Sequence, residues 1–149
     1  MFKKLNKKGF TLAELLGVVA IIGVLVAISI PIFTSQLEKS RDAVTLANLR
    51  AAYAEAQTVY LTAAGKDATE TDGNQTITYT AATNKVTVSN VVSKGTVAGL
   101  DGVDQLPFTA TSLVGKDSMG GTAKSTWTVA FAYTVDTNGN VTGIVATTE

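Results

Sequence analysis

The stretch that decides the architecture of this 149-residue chain lies near its N-terminus and reads KKGFTLAELLGVVAIIGVLVAISIP, residues 7–31. Its apolar part begins at Phe10 and contains a single charged residue, Glu14. No residue from Leu15 to Gln36 carries a formal charge. About 20 apolar residues suffice for a helix to cross a bilayer. We therefore predict a transmembrane helix over residues 10–36.

The residues on either side of the apolar segment predict its orientation in the membrane and whether it is retained in the mature protein. Lysines at positions 3, 4, 7 and 8 precede it, which places its N-terminal end in the cytoplasm and exports the residues that follow. A secretory signal that is removed after its apolar core ends in a cleavage site of small residues. The chain instead continues through Pro31-Ile32-Phe33 into a polar helical pattern. We therefore expect the apolar segment to be retained as an anchor.

The charged residues are distributed unevenly, although the formal net charge is zero. Once the lysine-rich residues 1–9 are set aside, eight basic residues face all 12 acidic ones, which leaves a net charge of −4. Nucleic-acid binding by bulk charge requires clustered lysine or arginine. We therefore expect any contact with nucleic acid to be indirect.

The chain contains no cysteine and no histidine. Their absence removes the thiolate and imidazole ligands of zinc sites and the usual nucleophiles and general bases of hydrolases. We therefore predict that the protein is not an enzyme and uses neither a metal nor a cofactor. The alternative from another class is an extracellular enzyme that relies on carboxylates and stays on an uncleaved anchor.

Residues 37 to about 64 show the pattern of an amphipathic helix that continues from the transmembrane segment. Apolar residues recur at spacings of three and four and form one stripe: Leu49, Ala52, Tyr53, Ala56, Val59, Tyr60 and Ala63. Charged residues are predicted on the other faces: Glu38, Arg41, Asp42, Arg50 and Glu55. Gly65 suits the position just past the helix end because glycine readily adopts the left-handed conformation.

The remainder of the chain, residues 65–149, is rich in strand and turn signals. Residues 65–75 are polar and acidic and are predicted as a loop, followed by an antiparallel sheet over residues 76–149. Two hairpins are predicted in that sheet, Thr76–Thr80 with Lys85–Val92 and Thr126–Val135 with Val141–Ala146. The fold class is thus α+β, with one long N-terminal helix packed through its stripe on a C-terminal antiparallel sheet.

The segment Asp136-Thr-Asn-Gly-Asn140 allows two interpretations. Its alternating oxygen-bearing side chains are similar to the start of a calcium loop. An EF-hand needs glycine at the sixth position and glutamate at the twelfth, whereas this chain has Val141 and Thr147 there. We therefore favour a hairpin turn and assign no metal ligands.

The residues Lys7-Lys8-Gly9-Phe10-Thr11-Leu12-Ala13-Glu14-Leu15-Leu16 resemble the class III signal peptide of type IV pilins and the related pseudopilins. The resemblance covers the leader and the N-terminal helix, residues 1–60, and includes Pro31. It implies the pilin fold, with residues 1–9 as a cleaved leader, residues 10–36 as a transmembrane and filament-core helix, and residues 37–149 as a globular domain.

The resemblance also implies roles for individual residues. A prepilin peptidase is expected to cut between Gly9 and Phe10 on the cytoplasmic side and to methylate the new amine of Phe10. Glu14 is expected to pair with the Phe10 amine of a neighbouring subunit during assembly. Gly23 and Pro31 are expected to mark a stretch of helix that extends or melts when subunits pack. A simple bend at Pro31 is the alternative for that stretch.

The function that the resemblance implies is that of a structural subunit of a type IV pilus. Each subunit starts in the cytoplasmic membrane, with its N-terminus in the cytoplasm. An assembly platform and an ATPase then build the subunits into an extracellular homopolymer, the filament. Adhesion, twitching motility, aggregation and DNA uptake are the activities that such filaments support. The alternative is a pseudopilin of a type II secretion or competence apparatus.

Overall fold

The protein is described by a computed structural model that covers residues 9–94, 100–111 and 126–148. Within these residues a long helix, α1 (Leu12–Thr62), is followed by six strands. The strands are β1 (Ala68–Asp72), β2 (Gln75–Thr80), β3 (Lys85–Val92), β4 (Thr109–Ala110), β5 (Thr126–Val135) and β6 (Val141–Thr148). Short 3-10 helices span Ala81–Thr83 and Val103–Gln105. The prediction of an α+β fold is confirmed.

The chain divides into two compact units, Met1–Leu37 and Glu38–Glu149. In the first unit, α1 is exposed on all sides, and every residue from Gly9 to Leu37 is accessible to solvent. By length and composition α1 is suited to cross a membrane, and among the described residues no other helix is. The predicted leader residues before Gly9 lie outside the described residues.

The second unit contains the hydrophobic core. The part of α1 in this unit packs through the predicted stripe, in which Leu49, Ala52, Ala56 and Val59 are buried and Tyr53, Tyr60 and Ala63 are partly buried. The sheet contributes the facing side chains: Ile77, Tyr79, Val86, Val88, Val91, Trp127, Val129, Phe131 and Tyr133. In β5, alternate residues point inward as predicted, although Val135 at its end is only half-buried.

The six strands form one sheet in the order β1-β2-β3-β5-β6-β4. Both predicted hairpins, β2 with β3 and β5 with β6, are antiparallel pairs of this sheet. The prediction of a wholly antiparallel sheet is wrong at one edge. There, Thr109 and Ala110 of β4 pair in parallel with Val145 and Ala146 of β6. A strand of two residues has too short a pattern to be recognised from the sequence.

The prediction of a loop over residues 65–75 is wrong in part, because β1 occupies Ala68–Asp72 and pairs antiparallel with β2. The strand lies at the edge of the sheet, and most of its residues are exposed. An exposed edge strand needs no apolar alternation, which is the signal that identifies buried strands. Gly73, with a φ of +57°, begins the tight turn that joins the two strands.

The prediction that Asp42 lies away from the buried face is also wrong. Asp42 is only 5% exposed, and Thr45 beside it is fully buried. Both residues continue the stripe towards the N-terminus at the same spacing of three and four. The Asp42 carboxylate accepts a hydrogen bond from the backbone N–H of Asp101 at 3.3 Å. This acceptor satisfies backbone that passes over the helix, and burial raises the pKa of Asp42.

Candidate functional site

The predicted cleavage residues Gly9 and Phe10 precede the helix and are exposed. Helical structure begins at Leu12, so both residues lie in non-helical backbone. The Phe10 side chain is 87% exposed. A Cβ placed on Gly9 would meet no atom within 4 Å, and the backbone of Gly9 lies outside the left-handed region. The fold of the chain itself therefore imposes no need for glycine at this position.

Glu14 is held at the helix start by Thr11. The backbone N–H and the hydroxyl of Thr11 both donate to Oε2 of Glu14, each at 2.8 Å. In return, the backbone N–H of Glu14 lies 3.3 Å from the Thr11 hydroxyl oxygen, which accepts its hydrogen bond. These reciprocal bonds form a capping box, in which the first and fourth residues of a T-x-x-E sequence satisfy each other's free donors.

Thr11 was not identified as a site residue from the sequence, although the signal was present. A threonine followed three residues later by glutamate, directly before an apolar run, is the sequence pattern of a capping box. In this chain the pattern, Thr11 to Glu14, directly follows the predicted cleavage residues. The structure thus adds Thr11 to the segment that contains Gly9, Phe10 and Glu14.

The predicted weak stretch of the helix, with Gly23 and Pro31, lies within α1, which is helical through both residues. Pro31 has no N–H to donate to the carbonyl of Ala27. Side-chain hydroxyls on either side of Pro31 donate to backbone carbonyls of the same helix. Ser29 donates to the Leu25 carbonyl at 2.7 Å, and Thr34 donates to the carbonyls of Ile30 and Pro31 at 3.2 and 3.0 Å. The extension or melting of this stretch on assembly stays a prediction.

The segment after β5 forms the hairpin turn that was favoured. Oδ1 of Asp136 accepts hydrogen bonds from the backbone N–H groups of Asn138 and Asn140, both at 2.8 Å. Oδ2 accepts a third bond from the Asn140 side chain at 3.1 Å. The Asn140 side chain, followed by its backbone N–H, lowers the pKa of Asp136. The carboxylate thus serves to close the turn between β5 and β6.

Comparison with known proteins identifies the family. Residues 4–30 match the family described as "Prokaryotic N-terminal methylation motif". The chain is also 30% identical over 141 residues to "Fimbrial protein Q" of Moraxella bovis, an alignment that covers 90% of this chain and 88% of that protein. No solved structure matches the chain. Because the relative is aligned over almost the whole length, including the sheet, we conclude that the chain belongs to the type IV pilin family, a family of structural proteins rather than of enzymes.

Proposed function

We propose that the protein is the structural subunit of a type IV pilus, made as a membrane-anchored precursor with its N-terminus in the cytoplasm. The observation that carries the proposal is the exposure of the first unit. Large apolar side chains are exposed along α1 from Leu12 to Leu37. Apolar surface of this extent is stable in lipid, or against other copies of the same helix.

Cleavage between Gly9 and Phe10 by a prepilin peptidase is the second part of the proposal. The free space around Gly9 means that any requirement for glycine at this position would come from outside the chain. A protease that binds extended backbone is such a partner, because a residue without a side chain can approach its cleft closely. The start of α1 at Leu12 leaves the scissile bond in non-helical backbone. Methylation of the new Phe10 amine would follow.

Pairing of Glu14 with the Phe10 amine of a neighbouring subunit is the third part. After cleavage, the amine of Phe10 is positively charged at neutral pH. A carboxylate within an apolar helix is costly unless it has a partner. In a bundle of identical helices, the contact between this amine and Glu14 would neutralise both charges and fix the axial register of the subunits.

Residues 66–149 would then form the outer surface of the filament, and the contacts of that surface would determine adhesion, twitching motility, aggregation or DNA uptake. The relative from Moraxella bovis is named as a fimbrial protein, which favours a pilus subunit over a pseudopilin of a type II secretion or competence apparatus. Assembly by a platform protein and an ATPase belongs to the same proposal, because extraction of an apolar helix from lipid requires energy.

Replacement of Gly9 by leucine tests the cleavage step. We expect the Gly9→Leu variant to stay in the membrane as the intact precursor, because the added side chain meets the peptidase and not the chain itself. Intact mass and N-terminal sequencing measure the processed fraction in cells with active peptidase. The matched control is Gly17→Leu, since a Cβ at Gly17 also meets nothing within 4 Å. Normal processing of Gly9→Leu, or an intact Met1 terminus in the unmodified protein, would refute the cleavage assignment.

A further inference from the structure

Thr11 makes more contacts with Glu14 than a helix cap requires. A capping threonine needs only to accept a bond from a backbone N–H in the first turn. Here the hydroxyl also donates to Oε2 of Glu14, alongside the Thr11 backbone N–H. We propose that Thr11 is a positioning residue for filament assembly, which orients the Glu14 carboxylate towards the amine of the neighbouring subunit. This inference rests on the proposed pairing of that amine with Glu14.

The two oxygens of Glu14 have different surroundings. Both donors of Thr11 converge on Oε2, and within the described part of the chain no group donates to Oε1. A carboxylate can accept about four hydrogen bonds in total. The contact with Thr11 therefore fixes the side chain while leaving one oxygen open to a second partner. An ammonium group of another copy has the charge and the donors to bind there.

Orientation before assembly has a measurable benefit. Ordering a free glutamate side chain costs roughly a factor of ten in affinity. A Glu14 side chain that is already held by Thr11 avoids most of that loss in affinity when the neighbouring subunit binds. Both donors also survive cleavage, because the Thr11 N–H belongs to the peptide bond that joins it to Phe10. The same contact can thus act in the precursor and in the mature subunit.

The test compares four single variants, and the double variant Thr11→Val/Glu14→Ala, in cells that contain the peptidase and the assembly machinery. Thr11→Val keeps the shape of the side chain but removes the hydroxyl. Thr11→Ser keeps the hydroxyl. Thr11→Asp keeps an acceptor for the helix cap but cannot donate to Glu14 and repels it. Glu14→Ala removes the group that Thr11 would position. The processed fraction is measured by intact mass, and sheared filament is measured relative to mature subunit in the membrane.

We expect Thr11→Val and Thr11→Asp to be processed normally but to yield about tenfold less filament, the loss of one charge-assisted hydrogen bond. Thr11→Ser should stay within about twofold of the unmodified protein, since its hydroxyl can make the same bond. The Thr11→Val substitution should cause no further loss in a Glu14→Ala background, because Thr11 acts through Glu14. A role in helix capping alone would leave Thr11→Asp at full yield.

The results separate this inference from the function on which it rests. Full filament yield from Thr11→Val or Thr11→Asp, together with poor assembly of Glu14→Ala, would overturn the role of Thr11 and leave that of Glu14 intact. Full yield from Glu14→Ala would overturn both roles. Processed unmodified subunit that forms no filament would overturn the proposed function itself, and the inference with it.

Discussion

Tyr133 places its hydroxyl group in the core of the second unit without a hydrogen bond from the described residues to stabilise it there. The side chain is 4% exposed and stacks on Tyr60 with ring centroids 4.0 Å apart. Its hydroxyl is buried, and it has no hydrogen-bond partner among the described residues. Burial raises the pKa of Tyr133 well above the ordinary value for tyrosine, so the hydroxyl stays neutral. The stacked ring stabilises the core, whereas the desolvated hydroxyl opposes it.

We therefore expect Tyr133→Phe to raise the free energy of unfolding by about 1 kcal/mol, because it removes an unsatisfied buried group and keeps the ring. Unfolding can be followed through Trp127, which is the chain's one tryptophan and is buried in the same core. Tyr79→Phe is the matched control. The Tyr79 hydroxyl donates to the Asn84 side chain at 2.9 Å, and its loss should cost about 1 kcal/mol. Equal destabilisation by both substitutions would show that Tyr133 has a partner.

Glu55 lies half-buried on α1, and its Oε2 atom is buried without a hydrogen-bond partner among the described residues. Burial, and then the charge of Asp72 on β1, raise the pKa of Glu55 above its ordinary value of 4.5. A carboxyl group whose pKa is higher in the folded state binds protons more tightly there than in the unfolded state. Its contribution to stability is therefore complete below pH 4.5 and is lost as the pH rises through the raised pKa.

The Glu55→Gln variant has no titrating carboxyl group at this position, so it does not lose stability as the pH rises. We expect it to unfold at higher temperature than the unmodified protein at pH 7, by the equivalent of about 0.5 kcal/mol for a partly exposed charge. The difference should shrink as the pH falls towards 4.5, the unperturbed value for glutamate. Asp72→Asn, which removes the second cause of the shift, should give a smaller gain of the same sign. A difference that is constant between pH 7 and pH 4.5 would contradict this explanation.

At the scale of elements, the helix and the two hairpins could be predicted because their patterns are long. The α1 stripe spans four helical turns, and β5 alternates over ten residues. The edge strands β1 and β4 could not, because one is mostly exposed and the other has two residues. Burial of Asp42 could not be predicted either, since the donor that satisfies its carboxylate is the backbone N–H of Asp101, far along the chain. Such contacts are specified by tertiary structure and not by a local pattern.

The bulge in β3 shows the same limit within a single strand. Val88 and Val91 are both fully buried, although residues three apart point to opposite faces of a regular strand. The register with β5 shifts between them, and Asn90 adopts a φ of +56°. The side chain of Asn90 donates to the backbone carbonyl of Asn74 in the turn between β1 and β2. Asparagine tolerates this left-handed conformation, so one irregular residue returns Val91 to the buried face.

The candidate site follows a different rule. Gly9, Phe10 and Glu14 were predicted by resemblance to a family motif, and the structure places them within one exposed segment at the start of α1. Their proposed partners are a peptidase and another copy of the chain, so the proposed contacts are not formed within a single subunit. Thr11 is the exception, because its contact with Glu14 is local and is present in one chain.

At the scale of the whole molecule, the division into two units predicts that folding and assembly can be separated. Within residues 9–94, 100–111 and 126–148, every residue of the hydrophobic core lies in the second unit, and the first of them along the chain is Leu46. The exposed apolar surface of α1 is concentrated before residue 38. A fragment that begins at Glu38 would therefore keep the core and lose most of the surface that requires lipid.

We expect the fragment of residues 38–149 to be soluble without detergent, to be monomeric in size-exclusion chromatography and to unfold in one cooperative transition of Trp127 fluorescence. A fragment of residues 51–149 is the matched control. It lacks Leu49 and also Thr45, whose hydroxyl accepts a bond from the backbone N–H of Lys94 at 3.0 Å. Loss of a buried leucine alone costs about 2–5 kcal/mol, a large share of the stability of a domain. The shorter fragment should therefore lose its cooperative transition. Aggregation of the longer one would mean that the core depends on residues 1–37, and that the second unit is not an independent domain carried by the helix.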